Sequence, residues 1–314
     1  MADETIKRLE DLLAENDEAQ MRKAERVAIV GAGTLGQGIA QTIAAAGLDV
    51  KVVEKNNEAK ELSIKQLSES MDREIARWGM TSSEKKAILS RIYWHTSLDK
   101  LNKCDLIIEA VGENLELKKA IFEKLDKIAK PEAIFISTTS TLSLEEIASV
   151  TNRKCKFVGM HFLNPVPKVR LVEVVRTIDT AEETMEKIKN FAVSIGKTPV
   201  EVYEYPGFIT TRVIVPLLNE AMHILLEGLA TAHDIDLAMK LGYNLPIGPL
   251  ELADSMGLDE VLAWMQELWK TLGEPRYRPC PLLRKLVRER KLGKKVGEGF
   301  FKYDKNGRII TEKK

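Results

Sequence analysis

Two ionisable residues, His161 and Glu173, have the types and surroundings needed to move a proton. Both fall in GMHFLNPVPKVRLVEVVR, residues 159–176. His161 follows an apolar run and precedes a proline-bracketed turn, so it sits at a strand end, where doubly wound sheets bind ligands if that end is the carboxyl one. Glu173 lies inside an apolar strand pattern, flanked by Leu171, Val172, Val174 and Val175. A carboxylate there costs several kcal/mol unless a partner satisfies it, and a histidine on a neighbouring strand would be such a partner. Imidazole accepts a proton near neutral pH, and a carboxylate beside it fixes its tautomer. That suits an alcohol losing hydride from carbon and a proton from oxygen. Spacing alone equally allows a structural histidine and a salt-bridged glutamate.

A second chemistry is written in RVAIVGAGTLGQGIAQTIAAAGLDVKVVE. Gly31, Gly33 and Gly36 form G-x-G-x-x-G between a strand and a helix, with Thr34 and Leu35 before the third glycine. The first glycine permits the tight turn, the second lets backbone approach a pyrophosphate, and the third allows close helix–strand packing. An Ala-rich helix, Gly47 as its stop, and a second strand ending in Glu54 follow in order. Glu54 lies about 20 residues beyond the first glycine, where an acidic residue binds the ribose 2′-hydroxyl. Its charge would repel a 2′-phosphate, which favours NAD over NADP, although Lys55 stands beside it.

The elements that must carry these residues alternate. Apolar runs at Val27–Val30, Val50–Val53, Leu106–Val111, Ala133–Ser137, Phe157–Met160, Leu171–Val175 and Val200–Tyr203 read as strands. Helical patterns such as Asn114–Ala129 and Ala181–Ile195 lie between them. This predicts an α/β Rossmann domain, doubly wound around a mostly parallel sheet. One connection is too long for a plain crossover. Helical stretches at Glu58–Arg77 and Ser82–Ser90, separated by Trp78-Gly79-Met80, predict an inserted hairpin able to help cover a large substrate. Its second helix opens with a capping box, Thr81 and Glu84.

After Pro206-Gly207 the strand patterns stop. Phe208–Glu227, Ala232–Leu241, Pro249–Met256, Asp259–Thr271 and Leu282–Lys291 are all helical in period or composition. Thr231 is placed as an N-cap, and Gly228, Gly242 and Gly273 as helix stops. The expected division is an N-terminal extension over residues 1–24, a nucleotide-binding Rossmann domain over 25–205, and an all-helical domain over 206–314. In the extension, Leu9, Leu12 and Leu13 suggest a weak helical stripe. Its acidic sequence lacks the apolar core of a signal peptide.

Composition narrows the classes. With 47 basic and 47 acidic residues, the chain carries no excess charge to attract nucleic acid or an anionic membrane. No apolar run is long enough to cross a bilayer. Three widely spaced cysteines, Cys104, Cys155 and Cys280, read as reduced thiols in the cytoplasm. The four histidines have no metal-ligand spacing, so no metal is expected.

From about Arg26 onward the sequence resembles the L-3-hydroxyacyl-CoA dehydrogenase family, in particular its short-chain 3-hydroxybutyryl-CoA members. The motifs are GAGTLGQGIAQ, IIEAVGENLELKKAIF, STTSTLS, GMHFLNPVPKVRLVEV, PGFITTRVIVPLLNEA, IGPLELADSMGLD and LGKKVGEGFFKYD. The resemblance implies that His161 is the general base and acid and Glu173 its orienting partner. Ser140 would hydrogen-bond the substrate's reacting oxygen. Glu113, Lys118 and Asn164 would contact the nicotinamide half of NAD, and Ser70 and Arg77 would touch the CoA portion. The helical domain resembles the family's dimerisation domain, which implies a homodimer. The resemblance does not fix acyl chain length, direction or pathway, whether fatty-acid breakdown, butanoate metabolism (butyrate formation) or aromatic degradation.

Two positions depart from the family pattern. Ser137-Thr138-Thr139-Ser140 stands where the family usually has Ser-Asn-Thr-Ser, and Thr211 stands where an active-site asparagine precedes the arginine. Threonine is shorter and has one polar group in place of two. Thr211 therefore either takes over the asparagine's work with lower turnover or marks a pocket for another acyl group. Two further readings are a dehydrogenase of a free hydroxy acid, as in the gulonate and carnitine branches, and a non-catalytic NAD-binding relative, as among lens crystallins. His161-Phe162-Leu163-Asn164-Pro165-Val166-Pro167 follows the CoA branch.

Overall fold

The computed structural model describes residues 26–77 and 79–310. The expectations for the N-terminal extension and for Trp78 fall outside the described residues. The chain forms two compact units. One takes in the residues up to Thr139 together with Leu144–Glu201, and the second takes Ser140–Ser143 and the chain from Val202 onward.

The first unit is built on strands β1 (Val27–Val30), β2 (Val50–Val53), β3 (Ile92–His95), β4 (Leu106–Glu109), β5 (Ile134–Ser137), β6 (Phe157–Phe162), β7 (Leu171–Arg176) and β8 (Thr198–Tyr203). Their order is β3-β2-β1-β4-β5-β6-β7-β8. From β3 through β6 every pair is parallel, while β7 runs antiparallel to β6. The strand order reverses between β1 and β4, the switch point of dinucleotide-binding sheets. β1, β4, β5 and β6 are buried at every position, as strands covered on both faces must be. Ile29, Ile39, Ile108, Val158 and Ile188 belong to one continuous apolar core.

The strands differ from the sequence reading in one missing element and in several ends, with β4 stopping at Glu109 instead of Val111 and β8 starting at Thr198 instead of Val200. β3 was absent from that reading, and β6 runs two residues further than expected, so that it includes His161. The hairpin forms as helices Asn57–Ala76 and Ser82–Leu89, and the capping box at Thr81 and Glu84 is present. Ser63 and Gln37 both donate to the Ala32 carbonyl, at 3.0 and 2.8 Å, and Gln37 also reaches Gln66. These bonds tie the first hairpin helix to the glycine turn.

The second unit contains helices Thr210–Leu226, Ala232–Tyr243, Pro249–Met256, Leu258–Leu272 and Pro281–Arg288. Thr231 caps the second of these through the Asp234 amide, as expected. Gly242 does not stop that helix. It lies within the last turn, and Asn244 takes the left-handed conformation at φ 55° instead. Asparagine tolerates that region because its short polar side chain bonds locally. The unit's end, from Gly293 to Ile309, carries a short 3-10 helix at Lys294–Val296 and is held by isolated β-bridges. Buried Asp254 receives the amides of Phe300 and Phe301 and the Tyr303 hydroxyl, which pins this segment to helix Pro249–Met256.

Candidate active site

Three glycines shape the turn after β1, each in a different way. Gly31 has φ +93°, and a Cβ there would lie 2.8 Å from Val111 Cγ1 and 2.9 Å from the Ala110 carbonyl oxygen. A Cβ on Gly36 would lie 2.1 Å from the Gly31 carbonyl oxygen, so helix Thr34–Ala45 could not approach the turn. A Cβ on Gly33 would meet nothing within 4 Å. Packing therefore demands glycine at 31 and 36, whereas Gly33 borders open space where a ligand's phosphates fit. Gly33 is also the helix N-cap and offers no side chain to its first N–H groups. Such a terminus attracts anions.

Glu54 ends at this turn. Its Oε1 accepts from the Ala32 amide at 2.6 Å, and Oε2 accepts from Lys55 N–H at 3.1 Å. Thr34, exposed, opens the helix, and half-buried Leu35 packs on the core. The residues present thus fit NAD: a glycine turn, an open approach at Gly33, and a carboxylate beside the turn.

Across the sheet, Glu109 is the last residue of β4 and stands opposite Ser137 on β5. It is fully buried. Its Oε1 receives the Lys118 ammonium at 2.7 Å and the Val111 amide at 2.8 Å, and its Oε2 receives the Ser137 hydroxyl at 2.7 Å. Lys118, also fully buried, stands 3.6 Å from Glu113. Glu113 in turn accepts from Thr139 Oγ1 at 2.6 Å. Glu109 and Ser137 were not singled out in the sequence, although Glu109 carried the same signal as Glu173: a carboxylate in an apolar run.

His161 and Glu173 are register partners on β6 and β7. His161 Nδ1 lies 2.5 Å from Glu173 Oε2, and both residues are buried, at 5% and 1% exposure. An ionised carboxylate only accepts, so Nδ1 carries the proton and Nε2 is the basic nitrogen. Buried this deeply, each residue satisfies the other's polar group.

The β6–β7 connection is held from below by Lys197, which donates to the carbonyls of Val166 and, at 2.7 Å, Val169. Burial pushes its ammonium below the usual lysine range. This connection walls a cavity of about 910 Å³. Asn164, Lys168, Arg170 and Lys197 line one side, Thr34 and Gln41 another, and Ser70 and Arg73 the hairpin side. Arg77 is not among the lining residues and caps the hairpin helix, exposed. Arg73, which does line it, is three residues from Ser70 and so on the same helix face. Ser140 lies three residues past β5, half-buried, and Thr211 is buried in the first turn of helix Thr210–Leu226. Both belong to the second unit.

Among the described residues, no group of three or more histidine, cysteine or acidic side chains is arranged to hold a metal. No described helix is long and apolar enough to cross a membrane.

Known proteins match this chain over most of its length. Residues 26–205 match the NAD binding domain of 3-hydroxyacyl-CoA dehydrogenase, and residues 207–303 match the C-terminal domain of the same family. A probable 3-hydroxybutyryl-CoA dehydrogenase of Bacillus subtilis is 45% identical over 280 residues, covering 89% of this chain and 98% of the relative. The crystal structure of (S)-3-hydroxybutyryl-CoA dehydrogenase PaaH1 from Ralstonia eutropha is 42% identical, with a TM-score of 0.82 over 90% of this chain and 100% of that one. FadB2 of M. tuberculosis superimposes with a TM-score of 0.86 at 35% identity, over 90% of this chain and 99% of that chain. With both domain profiles matched in order and relatives covered over nearly their whole length, this chain belongs to the 3-hydroxyacyl-CoA dehydrogenase family of NAD-dependent oxidoreductases.

Proposed function

We propose that this protein interconverts a short-chain L-3-hydroxyacyl-CoA and its 3-ketoacyl-CoA, with His161 as general base and acid. The observation that carries the reading is the buried His161–Glu173 pair, set face to face by strand register. Bound NAD supplies the acceptor for hydride. In oxidation, His161 Nε2 takes the hydroxyl proton, and Glu173 holds the ring in the Nδ1–H tautomer and stabilises the imidazolium. In reduction, His161 returns that proton to the forming alkoxide. Ser140 donates to the reacting oxygen, and Thr211 stands in for the family's asparagine.

Glu54 binds the ribose 2′-hydroxyl, and Glu113, Lys118 and Asn164 position the nicotinamide half. The cavity beside the β6–β7 connection takes the CoA portion. Its lining carries Arg73, Lys168 and Arg170, cations suited to phosphate. Residues 25–205 form the cofactor domain and 206–314 the dimerisation domain. Val213, Leu241 and Tyr243 are exposed on the latter's helices and Leu229 on the connection between two of them, which supports burial against a second copy of the chain. Free thiols at Cys104, Cys155 and Cys280 suit the cytoplasm.

The test is turnover of acetoacetyl-CoA with NADH, set against free acetoacetate and against NADPH. Turnover confined to the CoA ester with NADH supports the proposal. Turnover of the free acid alone would replace it with the hydroxy-acid reading.

A further inference from the structure

We infer that Glu109 is a positioning residue for the nicotinamide half of NAD, acting through Lys118 and the Val111–Glu113 turn. The inference rests on the cofactor placement proposed above. Glu109 is fully buried at the carboxyl end of β4, next to the switch point of the sheet. It gathers three donors from three different places: the turn after β4 through Val111, helix Leu115–Ile128 through Lys118, and β5 through Ser137.

The first of those places borders the glycine turn. Ala110 and Val111 are the atoms that a Cβ on Gly31 would strike, so the Glu109-bound turn and the glycine turn share a wall. The Lys118 ammonium sits between Glu109 at 2.7 Å and Glu113 at 3.6 Å. Glu113 is exposed, while Glu109 is not. The buried carboxylate therefore takes the shorter bond and fixes the ammonium beside the exposed Glu113. Without the Glu109 charge, Lys118 would be a buried cation with Glu113 as its nearest carboxylate, and it would draw Glu113 inward. The two groups proposed to contact the nicotinamide half would then move together.

Glu109→Gln keeps the shape and one acceptor oxygen but removes the charge. NADH affinity, read by fluorescence titration, should weaken about tenfold or more, with KM for acetoacetyl-CoA changed less than about twofold. Lys118→Met should weaken NADH similarly, and the double variant should lose no more than either single one, since both break one interaction. Asp126→Asn is the control for general loss of stability. It breaks an ion pair with Arg153 at the far end of the same helix and should leave NADH affinity unchanged. If Glu109→Gln fails to fold, Glu109→Asp, which keeps the charge but shortens its reach to Lys118, carries the same test.

Unchanged NADH affinity in folded Glu109→Gln while Lys118→Met binds more weakly, or fully additive losses in the double variant, would overturn the inference alone. A wild type that binds no NADH would overturn the cofactor placement first, and the inference with it.

Discussion

His161 and Glu173 stand directly opposite each other on the antiparallel β6–β7 ladder, with Nδ1 2.5 Å from Oε2. Paired residues on adjacent antiparallel strands share one face of the sheet, so the contact follows from register. β7 is the strand that reverses direction in an otherwise parallel run from β3 to β6. Its reversal brings a carboxylate from twelve residues further along the chain back against the histidine.

Glu173→Gln should therefore lower kcat by about 10²–10⁴ and alter KM for the acyl-CoA far less. A glutamine in that place can donate to Nδ1 and so favours the wrong tautomer. Steady-state kinetics in both directions checks this. A KM effect with kcat retained would make Glu173 a packing residue.

The glycine turn separates packing from binding. Gly33→Ala should leave the melting temperature unchanged and weaken NADH roughly tenfold or more, because its methyl would occupy the phosphates' approach. Gly36→Ala should instead cost about 1–3 kcal/mol of stability, since its Cβ would lie 2.1 Å from the Gly31 carbonyl oxygen. Thermal melts beside NADH titrations distinguish the two, and equal melting losses would contradict the account.

Strands with continuous apolar runs and the glycine turn were legible in the sequence because burial on both faces leaves no other composition. β3 was not. Its four residues, Ile-Tyr-Trp-His, form an edge strand in which only Ile92 is buried, so no apolar run marks it. Gly242 was read as a helix stop on residue type alone. The end of that helix is set by Asn244, whose left-handed conformation the sequence did not announce. In the site, Glu173 was found because it was an isolated carboxylate in a strand. Glu109 escaped because Leu106–Val111 was read whole as an apolar run, and its partners Lys118 and Ser137 converge on it only in space.

Thr211→Asn should raise kcat on acetoacetyl-CoA by about tenfold, restoring a second polar group at a buried position of helix Thr210–Leu226. Turnover no higher on any hydroxyacyl-CoA would mean that threonine is not a weaker substitute for the asparagine.

Acid stability should depend on Asp126. Burial alone would raise its pKa. The Asn152 amide, the Arg153 guanidinium and the Asn152 side chain outweigh that and hold it below the usual carboxylate range. A carboxyl depressed in the folded state contributes stability above its unfolded pKa of about 3.9 and loses it as pH falls through the folded value. Asp126→Asn should thus cost about 1–3 kcal/mol at pH 7, with the gap closing as the pH drops below about 4. Urea midpoints at the two pH values check this, and a gap that persists in acid would contradict it.

The most direct test of the account is NADH consumption with acetoacetyl-CoA by the wild type and by His161→Ala, with NADH binding measured on both. The account predicts consumption by the wild type and loss of about 10²-fold or more in the variant, with NADH bound equally well by each. Equal consumption by the two proteins would show that proton transfer does not run through His161.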